Sequence, residues 1–547
     1  MSLKIKLLRK ICCIDEMMIG KNVHQDTIRR VFVVGLVWLL ISLNCARSFP
    51  QQQTVNIQET LIASSASTQE PAWFQELNQS QPSVFTEEIE PAATVPLEVE
   101  IRVPTPSNTP IFVYQAQSGD TLAALAKRFG VSEKEIESDR PLPPKGFIEP
   151  KQTLYIPNRL SGELTPKEQI IPDSDFVFGP SSVGFDAESY IKEAGGYLSS
   201  YRQWLESTRM TSGTQVIMRI ALENSISPRL LLSILEYQSG WVSSQPKELS
   251  QLHYPIGTTQ TQQKDLYHQL QWAANYLTDG YYGWREGRFT TLTLQDGSTL
   301  RISPQVNAAT AALQYFFAQL YGKEEWLRAM DKTKGLGGTY QRLFGDPWMR
   351  ADLFEPRFPA GIVQPPLSLP FERGKLWALT GGPHGAWEQN GSWAALDFAP
   401  GSISFGCVRS DAWVVASAPG IVTRSANGVV ALDLDGDGLE QTGWVLVYLH
   451  IAKESRVAVG TVLDRGDRIG HPSCEGGFAT GTHVHIARKY NGEWIAADGP
   501  LPFDLDGWVA HNGESPYKGM LTRGDESVIA NTTSPSSANI MRKDDDL

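Results

Sequence analysis

Between residues 111 and 158 the apolar positions switch register in a way that outlines a small unit. Residues 111–115 alternate as a short strand, Ser118-Gly119-Asp120 turns the chain, and Leu122, Leu125, Ala126 and Phe129 recur at helical spacing. A second helix over 131–138 and a strand over 153–156 complete a predicted βααβ module. From 174 to 365 the period is mainly helical. Ser227 and Pro228 form an N-cap and first-turn pair ahead of Leu230, Leu231, Ile234 and Leu235. Further helices are expected over 266–277 and 308–320, with an interposed hairpin turning at Asp296-Gly297. From 366 to 517 the pattern changes to strands and glycine-rich turns. Apolar runs at 413–416, 429–434, 444–450 and 483–487 predict an all-β antiparallel sandwich or barrel.

The flanking segments lack this periodicity. Residues 46–110, rich in Gln, Ser, Thr, Pro and Glu, read as an extended disordered linker, and 518–547 as a disordered tail. Ahead of the linker, Arg29 and Arg30 precede a 13-residue apolar run from Val31 to Leu43, the layout of an export signal but short for a bilayer span. Segment 1–45 is therefore expected to be a signal or anchor, and Met17 and Met18 offer later starts of more ordinary signal length. Cys45 follows the run in ISLNC, where Asn44 stands at a position that lipoprotein signals give to Gly, Ala or Ser. Cleavage, lipid attachment and an uncleaved membrane anchor all stay open, and in each case the chain is extracytoplasmic, secreted or held at the cell envelope.

Length and composition sharpen this division. A chain of 547 residues exceeds a single ordinary core, and 41% hydrophobic with 20% charged residues is the balance of a globular, multidomain protein. The net charge of −12, with no basic stripe to offset it, argues against nucleic acid as a partner. Of five cysteines, Cys12, Cys13 and Cys45 belong to the leader, leaving Cys407 and Cys474 to pair or to remain two thiols.

Six of the nine histidines fall between His384 and His511, inside the β region. In His483-Val484-His485 the two rings project from one face of a strand, because side chains two apart share a face. His450 ends the strand WVLVYLH, Asp397 in AALDFAP offers an oxygen ligand, and His384 another nitrogen. A catalytic zinc takes three protein ligands and one open position. Two histidines and one aspartate meet that count and leave two histidines for proton transfer. His471, before a proline, and His511 match no required ligand and read as structural or surface residues. Asp433-Leu434-Asp435-Gly436-Asp437-Gly438 places oxygens at alternate positions like the start of a calcium loop. Trp444 stands where the closing Glu would be, so a tight acidic turn is the preferred reading.

Three stretches resemble known families. QSGDTLAALAKRFGVS with LYIPN is similar to a LysM module over 111–158, which implies affinity for N-acetylglucosamine-containing glycans such as peptidoglycan. SPRLLLSILEYQSGW, within 174–365, resembles the start of a lysozyme-like transglycosylase. Its catalytic Glu position is here Gln238, an amide that cannot protonate a leaving group, with Glu236 on another side of the helix. This implies a degenerate wall-binding or spacer domain. Finally GGPHGAWEQNGSWAALDFA, VLVYLH and CEGGFATGTHVHIARKYNGEW resemble the lysostaphin-type zinc endopeptidases of the β-lytic and staphylolysin branch, over 369–508.

That last resemblance implies Zn2+ held by His384, Asp397 and His485, with His450 and His483 as the catalytic pair. The compact branch has a His four residues before the Asp, where this chain has Trp393, so the assignment relies on the longer His384-to-Asp397 spacing. The implied function is hydrolysis of peptide cross-links or stem peptides of bacterial peptidoglycan. The alternative is a catalytically silent envelope protein that binds wall and scaffolds or activates a partner hydrolase, and a third reading makes the helical domain a transglycosylase.

Overall fold

The structure, a computed structural model, describes residues 109–547 except 260, 388–390 and 402–405. The expected signal or anchor, Cys45 and the linker lie outside the described residues. Among the described residues no helix is long and apolar enough to cross a membrane.

Strands β1 (Ile111–Gln115), β2 (Glu137–Ser138) and β3 (Thr153–Pro157) form an antiparallel sheet in the order β1-β3-β2, covered by helix α1 (Leu122–Phe129). The Thr121 hydroxyl caps α1 by accepting from Ala124 N, and Gly130 ends it in the left-handed region. The helix expected over 131–138 is only a single turn, Glu133–Glu135. Ser132 and Glu135 close that turn on themselves as a capping box, and Glu137 and Ser138 then pair with β3. Leu125, Phe129, Ile136, Ile148, Leu154 and Ile156 make the small core.

The middle domain is built around one long helix. Helices α2 (Gly213–Asn224), α3 (Pro228–Ser239), α4 (Leu266–Arg285) and α5 (Ala308–Ala318) are accompanied by the hairpins β4 (Arg202–Leu205) with β5 (Arg209–Ser212), and β6 (Thr291–Thr293) with β7 (Thr299–Arg301). Helix α4 is buried on most sides, as expected of a helix carrying apolar residues nearly all round. Gly280 lets α5 approach closely, since a Cβ there would lie 2.7 Å from the Ala312 Cα.

Residues beyond 366 form the β domain. Its strands are β8 (Leu376–His384), β9 (Ala395–Pro400), β10 (Val414–Val415), β11 (Gly420–Ala426), β12 (Val429–Asp433), β13 (Trp444–Leu449), β14 (Val462–Leu463), β15 (Arg468–Gly470), β16 (Val484–Tyr490) and β17 (Glu493–Trp494), followed by β18 (Asp504–Leu505), β19 (Trp508–Asn512), β20 (Gly519–Arg523), β21 (Glu526–Ile529) and β22 (Asn539–Met541). The main antiparallel sheet runs β14-β11-β12-β13-β16-β9-β8-β22, with β17 folded back on β16. Leu396, Phe398, Leu432, Leu446, Tyr448, Val484 and Ile486 face the core of this domain. The alternate residues, Ala395, Ala431, Val445, Val447, Leu449 and Ala487, pack instead into the core of the helical domain. Both faces of the sheet are therefore covered.

The segment 518–547 is not a disordered tail. Strands β20 and β21 extend the sheet β18-β19-β20-β21, and β22 closes the edge of the main sheet by pairing with β8. Leu521, Val528, Ala530 and Ile540 are few and widely spaced, so the polar residues between them mask the pattern, yet all four enter the β-domain core.

Buried charges join the three parts. The Arg285 guanidinium donates to the Ser118 carbonyl of the first unit, and pairs with Asp173 at 3.0 Å and with Glu493 on β17 at 3.3 Å. Glu493 also accepts from Arg357 at 2.9 Å and from the Tyr281 hydroxyl at 3.0 Å. Arg128 donates to the Trp284 carbonyl while paired to Asp120, and Phe147 stacks on Phe358 with centroids 4.5 Å apart. The first unit thus sits directly on the helical domain.

Candidate metal centre

Register assembles the site. In the main sheet Asp397 of β9 lies directly opposite His485 of β16, and Gly381 of β8 lies opposite Asp397. Irregularities on either side of Gly381 turn the end of β8, which brings His384 over the same spot. His485 shares its face of β16 with Ala487, the face turned towards the helical domain. His384 Nε2 and His485 Nδ1 each lie 3.2 Å from Asp397 Oδ1 and 3.1 Å from one another. All three residues are buried.

The hydrogen bonds assign the protons. His384 Nδ1 donates to the Gly382 carbonyl at 2.8 Å and His485 Nε2 to the Ala386 carbonyl at 3.0 Å. A carbonyl can only accept, so in the neutral rings the nitrogens turned inward carry lone pairs. Asp397 Oδ1 meets them with no well-formed hydrogen bond. Three buried acceptors within 4.8 Å of one another and no donor between them is an arrangement that can hold a metal ion. The donor set, two imidazoles and one carboxylate, is that of a catalytic zinc site with one position left open. Burial works against charge on Asp397, but the neighbouring rings of His384 and His483 hold its carboxyl well below the usual range. Burial opposes charge on His384 as well, and there the Asp397 carboxylate prevails and raises the ring's pKa. A proton and a metal ion therefore compete for the same nitrogen.

His450 and His483 stand beside these ligands, their rings 4.5 Å apart, with His483 Nε2 3.7 Å from Asp397 Oδ1. Simple alternation past Leu449 would send His450 into the β-domain core. Its backbone adopts φ 64°, a left-handed conformation rare outside glycine, and this turns the ring to the ligand face. The Nδ1 atoms of His450 and His483 donate to the carbonyls of Glu475 and Gly481, at 2.9 and 2.8 Å, which leaves both Nε2 atoms as acceptors. Burial first, then the two neighbouring imidazoles, lowers His450 to about 3, so its ring is neutral at physiological pH.

The two carbonyls belong to the loop 474–482, and a disulfide from Cys474 to Cys407 pins the start of that loop. The bridge spans a sequence separation of 67 residues. Changing both cysteines to serine is expected to cost about 2–4 kcal/mol of stability, measured by urea unfolding. An unchanged midpoint would show that the loop is held without it.

Other predicted residues lie elsewhere. His471 donates Nδ1 to the Ala412 carbonyl and packs on Trp413, and His511 bonds the Thr522 hydroxyl; neither reaches the centre. Asp433, Asp435 and Asp437 cluster at the β12–β13 turn. There Asp433 accepts from the backbone N–H groups of Asp435 and Gly438, and Asp437 from that of Leu439, as in a self-bonded acidic turn.

Tyr517 was not apparent from the sequence. Its ring stacks on His384 with centroids 4.1 Å apart, but a lone aromatic in a polar turn leaves no periodic trace. Gly381 is the second such residue, because a Cβ there would lie 2.6 Å from Asp397 Oδ2. Gly381→Ala is therefore expected to push the carboxylate aside and weaken metal binding roughly 10–100-fold, read by competition with a chelator.

Residues 169–357 match the family model described as the LasA N-terminal domain, and residues 114–157 match the LysM domain. In the helical region the matching family model is the LasA N-terminal domain. Protease LasA of Pseudomonas aeruginosa (strain UCBPP-PA14) is 26% identical over 363 residues, covering 62% of this chain and 78% of the relative. The β-lytic metalloendopeptidase of Achromobacter lyticus is 27% identical over 148 residues, covering 26% of this chain and 36% of the relative. A solved structure of pseudoalterin, described as a novel M23 metalloprotease from the deep sea, is 22% identical with a TM-score of 0.26, and the match covers 31% of this chain and 96% of that one.

The ligand set and these relatives define the chain as a metalloendopeptidase. Its His-Asp-His set has the donors of a zinc site, and the match to a LysM domain precedes it in the chain.

Proposed function

We propose that this enzyme hydrolyses peptide cross-links or stem peptides of bacterial peptidoglycan outside the cytoplasm, with the LysM module providing affinity for the glycan. The observation that supports hydrolysis most directly is the convergence of His384 Nε2, His485 Nδ1 and Asp397 Oδ1 from three neighbouring strands, beside two further imidazoles with bare Nε2 atoms. His384, Asp397 and His485 would hold zinc, which would supply Lewis acidity toward a scissile carbonyl and toward water. His450 and His483 do the rest through their Nε2 atoms. They orient the attacking water, take its proton, and return a proton to the leaving amine. The carbonyls of Glu475 and Gly481 keep both rings in the tautomer this requires.

A glycan-cleaving role for the helical domain is disfavoured. Gln238 Oε1 accepts from the Tyr321 hydroxyl, and the Glu236 carboxylate is occupied by the N–H groups of Val242 and Ser243. The deciding experiment is digestion of purified peptidoglycan by the exported chain, with and without a zinc chelator. New amine termini that disappear on chelation support the reading. Sugar reducing ends would favour a glycosidase instead, and no products at all would favour a silent wall-binding protein.

A further inference from the structure

The loop between the ligands His384 and Asp397 is held from outside its own domain. Asp279 lies in helix α4, and its Oδ1 accepts from the Gly391 N–H at 2.8 Å. Arg288, just beyond the end of the same helix, donates to the Gly391 carbonyl at 2.9 Å. The N–H and the C=O of one residue are thus both held by the helical domain. Gly391 suits the grip because its φ is +83°, and a Cβ would lie 3.2 Å from that of Thr278.

Short stretches of backbone and the hydrogen bonds between them connect this grip to the metal centre. The next residue is Ser392, whose carbonyl accepts from Ala386 N at 3.0 Å and from Ala394 N at 2.9 Å. The Ala386 carbonyl in turn accepts the Nε2 proton of His485 at 3.0 Å. That last bond decides which nitrogen of His485 is bare. With the carbonyl in place Nε2 carries the proton and Nδ1 faces Asp397; with the carbonyl displaced, the ring is free to take the other tautomer and present an N–H to the ion. The Ala394 bond leads directly into β9, which carries Asp397.

We infer that Asp279 and Arg288 are positioning residues for the zinc site, acting through Gly391, Ser392 and Ala386 on the tautomer of His485. The inference rests on the proposed zinc site and assigns part of its outer support to the helical domain. That domain is then a working component of the peptidase.

The test uses the full exported chain with Asp279→Ala, Arg288→Ala and the conservative Asp279→Asn, whose amide oxygen can still accept from Gly391. Zinc affinity is measured by competition with a chelator, and the visible spectrum is recorded after loading with Co2+. Each alanine variant is expected to bind zinc roughly 10–100-fold more weakly with an altered Co2+ spectrum, whereas Asp279→Asn recovers most of the affinity. Arg288 is more than one-third exposed, so its alanine variant keeps the test open if Asp279→Ala fails to fold. Alanine variants with wild-type affinity and spectrum would overturn the inference. A wild-type chain that takes up no zinc would instead overturn the reading of the site itself.

Discussion

His483→Ala is expected to lower kcat roughly 10^2–10^4-fold while the enzyme keeps its zinc, whereas Asp397→Ala should lose both metal and activity. The two outcomes differ because the residues meet the site differently. His483 Nε2 stands 3.7 Å from Asp397 Oδ1 and has no place among the three closest atoms, so its removal takes away a proton acceptor and leaves the ligands intact. Removing Asp397 leaves His384 Nε2 facing His485 Nδ1 at 3.1 Å, two neutral lone-pair nitrogens without the negative charge that would hold a cation. Zinc content after dialysis, measured beside kcat, separates the two. Full metal retention in Asp397→Ala would place the ion elsewhere, and near-normal turnover in His483→Ala would remove that ring from proton transfer.

The second large effect concerns stability. Glu493→Ala is expected to destabilise the protein by about 3–5 kcal/mol, because it leaves the buried guanidiniums of Arg285 and Arg357 short of a counter-charge. Arg285 retains Asp173, and Arg357 retains the Asn491 carbonyl, which carries no counter-charge. Glu493 is on β17, which folds directly onto the strand bearing His485, while Arg285 ends helix α4. The loss should therefore loosen the junction of the two domains, appearing in calorimetry as a lower Tm and as separation of one transition into two. A single transition at the wild-type temperature would show that the apolar contact between the domains suffices without the charges.

Much of the chemistry was legible in the chain. The HVH pair, the terminal histidine of WVLVYLH and the Asp of AALDFAP are local features, and a period of two puts His483 and His485 on one side of a strand before any partner is known. The same rule fails at His450, whose backbone is left-handed. It fails again over 518–547, where sparse apolar residues find a core supplied by distant strands. The helix expected over 131–138 erred for a related reason. Helical propensity was read where the backbone turns extended at Ile136 after three residues and β3 offers a pairing edge.

From the amino-acid order alone came the candidate ligand types, their spacing, and the succession of module, helices and β domain, since side-chain chemistry and periodicity are carried by neighbours in the chain. Folding decided the rest. The bare nitrogen on each imidazole depends on backbone carbonyls, which every residue type possesses alike and which therefore leave no mark in a sequence. The seating of the helical domain on the ligand-bearing face depends on contacts such as Tyr281 with Glu493, 212 residues apart, whose meeting only the completed packing specifies.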